Sequence, residues 1–147
     1  MSHRAGDLNP GLLLYLLRQG YSLRRLIELL EHRSGLAGLT GLDDMREILL
    51  AAGFSVPGLS PLKSVAGRKK AAARAAIEVF VYRIRKYVGA YCAVLGRVDA
   101  VVFTGGIGEH SAVVRRMILR RLLIPGDPRV IVVPTDEERA MLQSIRP

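Results

Sequence analysis

Ala100-Val101-Val102-Phe103-Thr104-Gly105-Gly106-Ile107-Gly108-Glu109-His110-Ser111 is the stretch whose reading decides the fold. Its first four residues are wholly apolar and rich in β-branching, which suits a short strand covered on both faces. Three glycines follow, after which Val113, Val114, Met117, Ile118 and Leu122 recur at helical spacing. The order is strand, glycine turn, helix. Such a turn lets backbone N–H groups approach a phosphate at the positive end of the helix dipole. A tight strand-to-helix turn with no ligand accounts for the same glycines. The segment lacks the Gly-Lys-Ser/Thr of a Walker loop, and Ser111 stands where a dinucleotide fingerprint has its third glycine. Nucleotide binding is therefore indicated without its mode.

Downstream, Val130-Ile131-Val132-Val133 is a second apolar run, ended by Pro134, and a last helix is expected from about Thr135. Both runs read as interior strands of a parallel sheet, which need hydrogen-bonding neighbours on both sides. The sheet implied is larger than the sheet encoded. In Thr135-Asp136-Glu137-Glu138, Thr135 and Glu138 match a capping box, which accounts for Glu138. Glu137 is not needed for the cap. At the C-terminal end of a parallel strand it can hold Mg²⁺, or it can sit favourably beside a helix N-terminus.

Upstream, Asn9-Pro10 starts a helix that runs to Gly20, and Ser22 caps a second one with Leu23, Leu26, Ile27 and Leu30 on one face. The pair reads as a helical hairpin. Ser34 to Gly41 is too rich in glycine for a helix and is expected to be a flexible loop delivering Asp44 and Arg46. A short helix then starts at Asp43 or Asp44 and stops at Gly53. Asp44 as a plain N-cap and Arg46 as a solvated cation explain that pair structurally. From about 53 to 67 the chain carries Pro57 and Pro61 with no periodicity, an irregular exposed connection. The longest helix is expected from about Arg68 to Leu95, with Ala76, Phe80, Ile84, Val88, Tyr91 and Leu95 as its apolar stripe and Gly96 as its stop.

The 147 residues, 50% hydrophobic and 24% charged, suit one globular domain at most. The net charge of +9 comes from 22 Lys and Arg, 18 of them Arg. It suits an anionic partner such as phosphate, nucleic acid or a lipid surface, but an arginine-biased genome decorating helix faces gives the same balance. Charge alone supports a nucleic-acid binder and nothing else does. Cys92 is the only cysteine, which excludes an internal disulfide framework and favours a reducing, cytoplasmic compartment. Met1 to Pro10 has no apolar signal core, and no run reaches the roughly 18 apolar residues of a membrane span, so a soluble protein is expected. His3, His32 and His110 form no metal-ligand spacing.

Six separated segments together resemble the C-terminal part of the acetate kinase family, the short-chain carboxylate kinases that include propionate kinase. They are His3-Arg4-Ala5-Gly6-Asp7-Leu8-Asn9-Pro10-Gly11, Arg33-Ser34-Gly35-Leu36-Ala37-Gly38-Leu39, Asp44-Met45-Arg46, the run Val79 to Tyr87, the run Val102 to Glu109, and Val133 to Glu138. The resemblance implies an α/β chain, helix-rich with a small incomplete sheet: a partial ribonuclease-H-like domain of the superfamily of acetate and sugar kinases, heat-shock ATPases and actin. It implies one C-terminal nucleotide-binding domain over residues 1–147, with the family's first domain absent. The activity implied is phosphoryl transfer from ATP to acetate or propionate, giving ADP and an acyl phosphate, with Mg²⁺. Arg4 would stabilise the transferring phosphoryl group. Asp44, Met45 and Arg46 would border the adenosine, Gly105, Gly106, Ile107, Gly108, Glu109 and His110 would form the nucleotide loop, and Glu137 would bind the metal.

Three departures from the family's pattern stand out. His110 replaces the usual Asn, the connection before Gly67 looks longer, and the passage from Leu122 to Arg129 is shortened. With half a cleft, this chain by itself is expected to be weak or inactive, because phosphoryl transfer depends on charges placed around both oxygens. The alternative is a non-catalytic module that docks on a separate first domain or forms a homodimer, with neither membrane nor nucleic acid as partner.

Overall fold

The computed structural model describes residues 2–60, 67–136 and 141. Two compact units, residues 1–80 and 81–147, each have internal contacts of their own.

The first unit is helical. Helix α1, Pro10–Arg18, starts as its sequence dictates: the Asn9 side chain accepts from the Gly11 N–H at 2.8 Å, and Pro10 needs no partner at the first position. Helix α2, Leu23–Ile27, is capped by Ser22, whose Oγ accepts from Arg25 N, and it passes into a π-helical turn over Glu28–His32. Of the expected apolar face only Leu26 is buried, while Leu23 and Ile27 are exposed and α1 buries nothing.

Ser34 to Gly41 corrects the sequence expectation. Instead of a flexible loop, Gly35–Thr40 forms helix α3. Tertiary contacts override the glycine content. Leu36 is fully buried, the Ser34 hydroxyl donates to Leu29 O at 2.7 Å, and the Thr40 hydroxyl donates to Leu36 O at 2.8 Å. Gly38 is required there, because a Cβ would lie 2.8 Å from Arg33 O. Helix α4, Met45–Ala52, keeps its expected limits, with Asp44 as N-cap and Gly53 closing it at φ 93°. Met45, Ile48, Leu49, Ala51 and Ala52 form the core of this unit with Leu36, Ala73, Ala76 and Ile77. Each fully buried Leu or Ile contributes about 1.5–3 kcal/mol. Arg74 Nε donates to Ala52 O at 3.2 Å, satisfying a carbonyl at the end of α4.

Helix α5, Gly67–Leu95, is the expected long helix, but its stripe is displaced. Ala73, Ala76, Ile77, Val81 and Cys92 are buried, whereas Tyr91 and Leu95 are each 64% exposed. Residues 61–66 of the connection before it lie outside the described residues.

In the second unit, β1, Ala100–Phe103, pairs in parallel with β2, Arg129–Val132, in the register Ala100 to Arg129 through Phe103 to Val132. The crossover between them carries α6, Gly105–His110, and α7, Ala112–Leu119. The Ser111 hydroxyl caps α7 through Val114 N, Val114 and Ile118 bury its inner face, and Arg85 donates to the Met117 and Ile118 carbonyls at its far end. Gly126 is pressed onto Val98, where a Cβ would lie 2.8 Å from its carbonyl, so the short passage into β2 is tightly packed. The strands depart from expectation in one respect: among the described residues Val102 and all four residues of β2 are exposed. Among the described residues nothing covers those faces fully, although the residues of this sheet are those of a covered one.

Candidate functional site

The glycine segment is itself helical. Thr104 is the extended residue before α6, and Gly105 enters at φ 73°, a conformation that favours glycine. A Cβ on Gly108 would touch Phe103 at 3.6 Å, so this glycine lets α6 pack on the end of β1. Gly106 differs from both. Its φ is not positive, and a Cβ there would meet nothing within 4 Å. Neither backbone strain nor crowding explains it, and the space over Gly105 and Gly106 is open.

Side chains from elsewhere hold this helix. The Gly105 N–H donates to Thr135 Oγ1 at 2.8 Å, and the Thr104 and Thr135 hydroxyls lie 2.9 Å apart. Thr135 N–H and O–H both donate to Glu109 Oε1, at 2.8 and 2.6 Å. Those bonds, above all the one from the hydroxyl, hold the Glu109 carboxyl below the usual carboxylate range. Arg115 Nη1 donates to the Gly108 and Glu109 carbonyls, both at 2.7 Å, and His110 Nδ1 lies 3.0 Å from Gly106 O. Sequence reasoning gave Thr135 to a capping box, but its hydroxyl is engaged by Glu109, Gly105 and Thr104. Arg115 was missed, although a cation shortly after a helix end is a signal for capping its last carbonyls.

In the other unit, the segment carrying Arg4 is stitched down by backbone bonds from Ala5 N to Leu30 O, Ser34 N to His3 O and Ala37 N to Ser2 O. Arg4 itself is exposed and makes no hydrogen bond or ion pair among the described residues. His3 Nε2 lies 2.9 Å from Asp43 Oδ2, which brings the segments of Arg4 and Asp44 together. That link joins one of the three scattered histidines to an aspartate that the sequence offered only as a helix start. Asp44 caps α4 through Arg46 N–H at 2.8 Å, and its carboxylate takes Arg46 Nε at 3.0 Å and Nη2 at 2.6 Å. The Arg46 side chain lowers the Asp44 pKa first of all, its backbone N–H adds to this, and the guanidinium pKa is raised in return. Met45 is buried and anchors the cap to the core.

Thr135 and Asp136, where the last helix was expected to begin, are not helical, while Glu137, Glu138 and the rest of that expected helix apart from Met141 lie outside the described residues. Among the described residues no group of three or more His, Cys, Asp and Glu could hold a metal ion. No helix among them is long and apolar enough to cross a membrane.

The profile of the acetokinase family matches residues 1–142. The chain belongs to that family. It is 41% identical over 174 aligned positions to an acetate kinase of Syntrophobacter fumaroxidans, covering 99% of this chain and 39% of that protein. Its structure superimposes on Porphyromonas gingivalis acetate kinase with a TM-score of 0.76 at 31% identity, over 98% of this chain and 39% of the other. For a propionate kinase from Francisella tularensis the TM-score is 0.73 at 30% identity, over 94% and 38%. The chain thus spans between about a quarter and two fifths of the length of the relatives it matches. The fold is that of the acetokinase part of the acetate and sugar kinase, heat-shock ATPase and actin superfamily, helix-rich with a small parallel sheet.

Proposed function

We propose that these residues form the nucleotide side of a carboxylate kinase that converts ATP and acetate or propionate to ADP and an acyl phosphate. Gly106 carries the proposal through its place: it is as uncrowded as Gly67 and Gly89 of α5, but it stands in a glycine-rich strand-to-helix segment, where open main chain leaves room for a phosphate. Gly105 through His110 would cradle the phosphates of ATP or ADP, and Asp44, Met45 and Arg46 would border the adenosine. Arg4, a permanent cation that is exposed on a stitched-down segment, would stabilise charge on the transferring phosphoryl group. Mg²⁺ characteristically binds through one or two carboxylates together with substrate phosphates, and Glu137 would be one such carboxylate. The metal would supply neutralisation of phosphate charge.

For the 147 residues by themselves the proposal is nucleotide binding with weak or no phosphoryl transfer. Titration calorimetry of the chain with ADP and Mg²⁺ tests the first part, with saturation expected at or below millimolar ADP. No binding at that concentration refutes it. Enzyme-like formation of acetyl phosphate by the purified chain refutes the second part. Among the described residues β1 and β2 pair only with each other, and the edge each leaves open favours a second reading, a non-catalytic module docking on a separate polypeptide that completes the sheet. Native mass spectrometry showing only a monomer across micromolar concentrations, with no partner retained, argues against that.

A further inference from the structure

We infer that Arg115 and Thr135 are positioning residues that hold α6 from its two ends and so keep the N–H groups after Gly105, whose own N–H is taken by Thr135, arranged for a phosphate. The inference rests on the nucleotide reading of α6 given above. Six residues, three of them glycine, do not hold a helix unaided. Each glycine costs about 1 kcal/mol relative to alanine, and the first turn of any helix is unfavourable to nucleate. The order of α6 must come from outside it.

Thr135 supplies one end. Its Oγ1 donates to Glu109 and accepts from Gly105 N–H and the Thr104 hydroxyl, which uses the full bonding capacity of a hydroxyl. Thr135 follows β2, and Val133 N–H donates to Phe103 O at 2.9 Å, so this contact ties α6 to the pairing of the strands. Arg115 supplies the other end, where one guanidinium nitrogen reaches both Gly108 O and Glu109 O. A cation at those carbonyls is bound by charge-assisted hydrogen bonds and by the negative end of the helix. Glu109 joins the two, bonding Thr135 with its carboxylate and Arg115 with its carbonyl.

The two bonds made by Arg115 leave from one nitrogen, so a lysine ammonium with three donors can replace them. Thr135→Val keeps the branched shape and removes the hydroxyl, and Thr135→Ser keeps the hydroxyl. The full chain and these variants are compared by amide hydrogen exchange resolved over residues 105–110 and by ADP titration. Arg115→Met and Thr135→Val are expected to speed exchange in α6 at least ten-fold and to weaken ADP binding about ten-fold, which is 1.4 kcal/mol. Protection in α5 and α7 is expected to stay unchanged. Arg115→Lys and Thr135→Ser are expected to restore both readouts. Unchanged exchange in α6 in both disruptive variants overturns the inference whatever ADP does, and so does an equal loss of protection in α5 and α7. A wild-type chain that fails to bind ADP, with α6 exchanging faster in the variants, refutes the nucleotide reading and leaves the positioning role standing.

Discussion

Replacing Gly106 by alanine separates a structural glycine from a ligand-binding one, because the two roles predict opposite effects. Position 106 is helical, its φ is not positive, and an added Cβ meets no atom within 4 Å. Alanine exceeds glycine in helix propensity by about 1 kcal/mol, so Gly106→Ala should stabilise the fold by up to that amount. For a chain of this size that is a rise in Tm of a few degrees. A phosphate oxygen bonded to the Gly106 N–H at about 2.9 Å would be crowded by the new methyl group, because the N–H and the Cβ leave from adjacent backbone atoms. ADP affinity should therefore fall about ten-fold, or 1.4 kcal/mol. Gly105→Ala is the control. At φ 73° the alanine costs about 1–2 kcal/mol, so this variant should be less stable than wild type. Differential scanning calorimetry and ADP titration on the same samples give both numbers. A more stable Gly106→Ala protein with unchanged ADP affinity would refute the cradle, and a destabilised one would refute the geometry.

Ile48 is fully buried in the first unit, so Ile48→Ala should cost about 2–5 kcal/mol, measured as a lower urea midpoint at constant m-value. Asp44 has a lowered pKa, so its contribution is complete above its unfolded value of 3.8 and is lost as pH falls through the lower folded value. Asp44→Ala should cost about 1 kcal/mol at pH 7 as a lost cap, and Asp44→Asn less. Both should flatten the stability profile below pH 4, and an unaltered acid limb in urea melts would contradict the assignment. Glu109 should titrate below an ordinary glutamate because of Thr135, and carboxyl NMR of Thr135→Val should show it moving back up. An unmoved Glu109 resonance would mean that the bonds to Thr135 do not persist in solution.

Much of the local structure was legible in the sequence because its causes lie within a few residues. Asn9-Pro10 starts α1, Asp44 caps α4 and Gly53 closes it, and the apolar run Ala100 to Phe103 coincides with β1. The α5 stripe was less legible. Its spacing of three and four residues is helical but does not say which side meets the core, and Cys92 is buried where the neighbouring Tyr91, with Leu95, is exposed. Glycine content misled twice, at Gly35–Thr40 and at Gly105–His110, where helices form against propensity.

From the sequence alone came the family-bearing segments, most helix limits and the strand, glycine segment and helix order, all set by neighbouring residues. The tertiary structure alone decided that the glycine segment coils into α6, that Gly106 faces open space, and that His3 meets Asp43. The physical reason is separation along the chain. Thr135 reaches Gly105 across 30 residues and His3 reaches Asp43 across 40, and whether such loops close depends on packing that no local pattern encodes.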